Sequence, residues 1–308
     1  MSDFKNEFSW SISRDALFRE CRRKYYYNYY GYWGGWDKNH PDKVLRILYV
    51  LKNLQNRWMW KGSVVHHEIE KVLVELASTG VLIPEEKSKK RVTKMMRSDF
   101  RYSRDGLYWQ KDGSLRNVTA LFEHEYKTVT SDDVWKQTHD EAIRCIESFY
   151  RSEVLDEIKE LPKEKIISIE SMTASAFSFT PETVFVKLDL AYEKEDMIKI
   201  VDWKTGAGEA DKLQFLVYAI FACEEYEVRP EQIVVTEYSL LGDGPREHRF
   251  GAQELNDGVD YIKESISSMK GMLANAEENI AVMTDFPRTE NERICETCNF
   301  RKICFELD

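Results

Sequence analysis

Apolar positions recur at helical spacing through the first half of the chain and change to a two-residue period after position 165. Ser13 reads as an N-cap with Asp15 in the first turn. Leu17, Phe18, Cys21 and the aromatic run Tyr25–Tyr30 then predict a helix closing near Gly31. After the Gly/Trp-rich Trp33–Trp36, three long helical patterns follow, over Asp42–Thr79, Pro84–Tyr102 and Asp132–Glu160. Ile166–Glu170, Val184–Tyr192 and Ile198–Lys204 read as strands, separated by turn-type or charged residues. Gly206 and Gly208 interrupt the pattern before a helix over Leu213–Glu225. Ile233–Leu241 and His248–Phe250 then read as strands, and Leu255–Ala276 as a long helix. The Cys-rich tail Phe286–Asp308 shows no period. The expected class is α/β with a mainly helical N-terminal half, in four stretches: 1–38, 39–160, 161–286 and 287–308.

Composition narrows the class. With 308 residues, 43% of them hydrophobic, the chain can bury a core, which excludes disorder as the default. No run of about 18 apolar residues occurs, and the start has neither a basic region nor an apolar one, so a cytoplasmic protein with no membrane span is expected. Six cysteines in a chain this long then read first as metal ligands rather than as a disulfide framework. The net charge of −10 does not suggest a nucleic-acid binder, but its distribution matters more than the sum. Lys87, Lys89, Lys90, Arg91, Lys94, Arg97, Arg101 and Arg104 face a single acid, Asp99. Steps of three and four put most of them on one helix face, making Lys87, Lys90, Arg91, Lys94, Arg97 and Arg101 candidates for DNA binding, with an ordinary solvated face as the competing reading.

The candidate chemistry lies in the β-rich stretch. Asp202 and Lys204 are two apart in a strand pattern and project to the same side. A hairpin turning at Lys194–Asp196 would bring Asp189 beside Asp202. Two carboxylates and a lysine suit phosphodiester hydrolysis: hard oxygens bind Mg²⁺, the cation acidifies a water and offsets developing charge, and the lysine orients that water. An acid, one residue and a lysine is also a common chance pattern on the solvent face of a strand. Three further elements in order add weight. Upstream, Gly62 and His66 lie in a helical segment, where a neutral imidazole could supply another ligand. Downstream, Gln214 and Tyr218 are four apart on one helix face, where an amide and a phenol could hold a phosphate or the lysine.

In these motifs the sequence resembles the RecB-like nucleases of the PD-(D/E)XK superfamily: GxxxH at Gly62 and His66, the motif acid Asp189, DxK-Thr-Gly at Asp202–Gly206, and QxxxY at Gln214 and Tyr218. The resemblance implies a restriction-endonuclease-like mixed sheet flanked by helices. It further implies a Mg²⁺ or Mn²⁺ site of His66, Asp189, Asp202 and the Trp203 backbone carbonyl. Lys204 would serve the attacking water, and Gln214 and Tyr218 would position substrate. One upstream cysteine, Cys21, with Cys295, Cys298 and Cys304 in a C-x2-C-x5-C tail resembles the [4Fe–4S] clasp of AddB-type and CRISPR-associated members, which joins the chain ends. Four thiolates equally suit zinc by count. Cys145 and Cys223 sit among apolar neighbours and read as buried core thiols. Two positions depart from the family pattern, Arg22 where proline often follows the first cysteine and Val186 where glycine often precedes the motif acid.

The implied function is a metal-dependent deoxyribonuclease acting on single strands or ends in repair, recombination or defence. No GxxxxGK[ST] loop is present, so unwinding would come from a helicase partner. The alternatives are a DNA-binding scaffold that keeps the fold without needing activity, and a zinc-stabilised interaction protein.

Overall fold

The computed structural model describes residues 5–128, 130–206 and 211–307, without the side chains of 171–176; Gly208 lies outside the described residues. The chain divides into two compact units, each assembled from separated stretches. One comprises Met1–Gln55, Arg101–Lys127 and Asp260–Asp308; the other, Asn56–Phe100 and Thr128–Val259. The stretches 39–160 and 161–286 are each shared between the two units, whereas 1–38 and 287–308 fall in the same one.

The second unit carries the sheet. Helix α1 (Arg57–Thr79) starts where the Asn56 side chain accepts the Trp58 and Met59 amides and stops at left-handed Gly80. The single helix expected over Asp42–Thr79 is therefore two, because Asn56 satisfies free amides and restarts the chain after the helix Lys43–Lys52. Helix α2 (Glu85–Arg104) matches its expected span closely. The pattern Asp132–Glu160 is likewise split into α3 (Asp132–Tyr150) and α4 (Glu153–Glu160), with buried Ser152 capping the latter through the Leu155 amide.

Three antiparallel strands follow: β1 (Ile166–Ala176), β2 (Thr183–Lys194) and β3 (Met197–Lys204). β2 and β3 close through Glu195-Asp196, both at positive φ (53° and 58°), the left-handed pair that matches the twist of a two-residue hairpin. Helix α5 (Lys212–Tyr226) crosses over to β4 (Ile233–Ser239), which pairs parallel with β3. Being apolar nearly all round, α5 is a buried helix, with Phe215, Val217 and Phe221 inside. β5 (Gly244–His248) closes the edge antiparallel to β4. That strand was expected at His248–Phe250. It begins earlier because a turn through Gly244 (φ 82°) starts the return pairing at once.

The first unit joins the two ends of the chain. Its first helix, Ile12–Glu20, is capped by Ser11, not Ser13: Ser11 Oγ accepts the Arg14 amide. Buried Asp15 accepts from Tyr261 (2.8 Å) and Ser265 (2.6 Å), and Ser265 in turn accepts from Trp10 Nε1 (2.9 Å). Arg23 donates to the Phe286 carbonyl, and its amide donates to that of Pro287. The aromatic run is core as much as surface: Tyr25 and Tyr27 are fully buried, packed on Phe286 and Phe300, while Tyr26, Tyr29 and Tyr30 are half-buried. Among the described residues no helix is long and apolar enough to cross a membrane.

Candidate active site

The hairpin register builds the site. Leu190 pairs with Val201, so one step further from the turn Asp189 lies across from Asp202, both buried. Asp189 Oδ2 accepts the backbone N–H of Trp203 at 2.9 Å. Trp203 takes part through its backbone, while its ring packs edge-on against Phe149 (5.4 Å, 87°). Alternation sends Asp202 and Lys204 to one side, with Lys204 Nζ 2.7 Å from Asp202 Oδ2.

The first turns of α5 complete one half of the site. Lys204 donates to Gln214 Oε1 (2.9 Å), and Gln214 Nε2 donates to Asp202 Oδ1 (3.1 Å) and to the Tyr218 hydroxyl (2.6 Å). The Tyr218 hydroxyl in turn donates to Asp202 Oδ1 at 3.0 Å. Burial first, then the charges of Asp202 and Asp189, push the Tyr218 hydroxyl well above its ordinary range, so it stays a donor. The same burial and the charge of Asp189 push Asp202 up to about 6, against the pull of Lys204.

Helix α1 supplies the other half. Gly62 lets it approach the end of β3: a Cβ there would stand 3.2 Å from Thr205 Oγ1. One turn on, His66 Nδ1 lies 3.3 Å from Asp189 Oδ1 and 3.2 Å from Glu170 Oε1. Ligand atoms of His66, Glu170 and Asp189 all lie within 4.8 Å of one another, a donor set suited to a divalent cation. Burial lowers the His66 pKa, but Asp189 and then Glu170 outweigh it and raise it to about 10. A proton on the imidazole thus balances carboxylates that a cation would otherwise neutralise.

Glu170 escapes the sequence reading. It sits within β1 at φ +46°, a left-handed conformation that costs a non-glycine residue free energy and is held here at the site. Its other partner is Lys187, which shares the Asp189 face of β2 two residues earlier. The spacing of Lys187 and Asp189 was a usable signal; nothing in the sequence distinguishes Glu170 from an acid on a solvated face.

A model of the PD-(D/E)XK nuclease superfamily matches residues 9–305. The chain belongs to that superfamily. PD-(D/E)XK nucleases are generally metal-dependent and act on DNA, in keeping with a mixed sheet that gathers acids and a lysine at the end of one hairpin. A comparison with curated proteins finds no match.

In this PD-(D/E)XK chain the remaining sequence candidates are placed as follows. In the first unit Cys21, Cys295, Cys298 and Cys304 line one cavity, together with Lys24, Arg288 and Arg301. Among the described residues no three of these thiols lie within 4.8 Å of one another. Burial pushes Cys298 up to about 11 and raises Cys304. Cys145 is buried, as expected, whereas Cys223 is only partly so, because it lies near the C-terminal end of α5 beside exposed Glu224 and Glu225. On α2, Lys87, Lys90, Lys94, Arg97 and Arg101 are exposed at steps of three and four. Arg91 departs from this stripe: its Nε lies 3.3 Å from Glu68, which is fully buried, so its charge serves the interior.

Proposed function

We propose that the protein is a Mg²⁺- or Mn²⁺-dependent deoxyribonuclease of the RecB-like branch, cutting single strands or ends in repair, recombination or defence. The observation that carries this reading is the convergence of Asp189, Asp202 and Lys204 with His66 and Glu170 at one end of the β2–β3 hairpin. His66, Asp189, Asp202 and the Trp203 carbonyl, with Glu170 as a further oxygen donor, would hold the cation. When bound, that cation acidifies a water and offsets charge developing on the phosphate.

The chain's own groups do the rest. Lys204 donates to Gln214 and forms an ion pair with Asp202 Oδ2, and its ammonium would orient the attacking water. Gln214 and Tyr218 fix Asp202 from the other side, so that its carboxylate cannot rotate away from the site. Their amide and phenol would also position a substrate phosphate.

For the cysteines we propose the [4Fe–4S] clasp. The cations Lys24, Arg288 and Arg301 that line the cavity suit the net negative charge of a four-thiolate centre, and the choice of the iron–sulfur group rests on the sequence resemblance. A role in the cytoplasm beside a helicase partner would suit a chain that lacks a nucleotide-binding loop of its own.

The test is incubation of end-labelled single-stranded, duplex and circular DNA with Mg²⁺ or Mn²⁺, comparing the natural protein with Asp189→Asn, Asp202→Asn and Lys204→Met. Metal-dependent cleavage lost in each variant, with the fold retained, supports the reading. Cleavage that survives all three rejects it.

A further inference from the structure

In the second unit a cavity of about 280 Å³ opens among α1, α2 and α3, away from the groups that gather at Asp189 and Asp202. Three aromatic rings form its walls. Trp60 is buried and fixed by its Nε1–H, which donates to Asp99 at 3.0 Å. Trp135 stands edge-on to both neighbours, 6.2 Å from Trp60 (72°) and 5.1 Å from Phe100 (78°). Trp135 and Phe100 are only half-buried, so part of their ring surface is left to the opening. Arg97, Lys136 and His139 stand around it, and among the described residues no carboxylate lines it. His139 is held in place by Thr93 (3.0 Å) and Asp140 (3.1 Å).

These features specify the ligand's chemistry. The cavity is walled by aromatic side chains, which suits a flat π-faced group. Arg97 and Lys136 suit an anion attached to it. The volume falls just below the range of sites that take drug-sized molecules, so the occupant is small. Arg97 belongs at once to the cavity and to the exposed stripe of Lys87, Lys90, Lys94 and Arg101. A polyanion running along that stripe would pass the mouth of the cavity.

We propose that the cavity of Trp60, Phe100 and Trp135 is an anchor for one unpaired base of a single strand whose phosphates follow the α2 stripe. The proposal rests on the nuclease reading for the identity of the polymer. A duplex, whose bases are already stacked, gains nothing from such a slot. The cavity thus selects for single-stranded DNA and holds it apart from the reacting phosphate.

The experiment measures binding by fluorescence anisotropy in EDTA, where no cleavage occurs. The probes are a labelled oligo-dT, an abasic strand of equal length and a duplex. Stacking of a base on an aromatic side chain is a large effect, and loss of the anchor should weaken binding by about tenfold. The natural protein should therefore bind oligo-dT about tenfold more tightly than the abasic strand. Trp135→Leu, which keeps apolar volume but removes the π face, should bring oligo-dT down to the abasic level and leave the abasic strand and the duplex unchanged. Trp135→Phe should restore most of the preference. Arg97→Gln should weaken all strands and lower the salt slope by about one. Equal affinity of the natural protein for oligo-dT and the abasic strand overturns the proposal whatever the variants do. So does a Trp135→Leu protein that keeps its preference for oligo-dT, which would assign the cavity to another partner. Absence of Mg²⁺- or Mn²⁺-dependent cleavage by the natural protein, measured separately, would sink the nuclease reading while leaving the binding result standing.

Discussion

His66 gives the nuclease reading its most quantitative consequence. In the metal-free protein its imidazole is held protonated up to about pH 10 by Asp189 and Glu170. A cation entering between those groups must displace that proton, since a protonated imidazole has no lone pair to offer. Between pH 7 and 8.5 the apparent affinity for Mn²⁺ should therefore rise about tenfold per pH unit, about 2 kcal/mol over the interval at 1.36 kcal/mol per unit. Asp202, raised to about 6, adds a second displaced proton below that pH, so the slope should approach two there. Titration calorimetry in buffers of different ionisation enthalpy reads the released protons directly, with one per Mn²⁺ expected at pH 7.5. His66→Asn should bind more weakly and lose the slope above pH 7. In the metal-free protein the sign is opposite. A pKa raised from 6.5 to about 10 on folding gives a stabilisation complete below pH 6.5 and lost as the pH climbs toward 10. A Mn²⁺ affinity that is flat from pH 7 to 8.5 would refute the idea that His66 exchanges a proton for the cation.

Three further outcomes test the remaining assignments. Cys21 and Cys295 stand about 270 residues apart, and by analogy with disulfide loop closure a cluster holding both would remove roughly 5 kcal/mol of unfolded-state entropy. Cys298→Ala should accordingly lose absorbance near 400 nm in anaerobically purified protein, melt earlier and expose both chain ends to protease together. Unchanged melting and protected ends would show that the contacts of Asp15 and Arg23 suffice to hold the termini. Replacing exposed Lys87, Lys90 and Lys94 by Gln should flatten the slope of log affinity for DNA against log salt by about one per lost phosphate contact. Arg91→Gln belongs to a different class: it strands buried Glu68 and should lower stability more than it alters the salt slope.

The sequence by itself determined whatever depends on period and order. Alternation in Val184–Lys204 and the two-residue turn between its halves dictated the hairpin and its register. With the register came the meeting of Asp189 with Asp202, since a slip of one residue would turn every buried side chain outward. The four-residue step from Gln214 to Tyr218 likewise put both on the helix face that looks back at Asp202. The three-and-four spacing of the α2 bases, read as one face, is an exposed face in the fold.

Only the tertiary structure decided the rest. The helix breaks at Asn56 and Ser152 are local capping events, but apolar spacing on either side hides them, and tertiary burial chose caps over continuation. Ser11 and Ser13 are equivalent by sequence; the backbone path into the first helix selected Ser11. Arg91 left the stripe because a buried carboxylate 23 positions away needed its charge. Glu170 joined the site for the same kind of reason. A left-handed residue in a strand is unfavourable alone, and it is held here by His66 from a distant helix and Lys187 from the neighbouring strand, which no local pattern could announce.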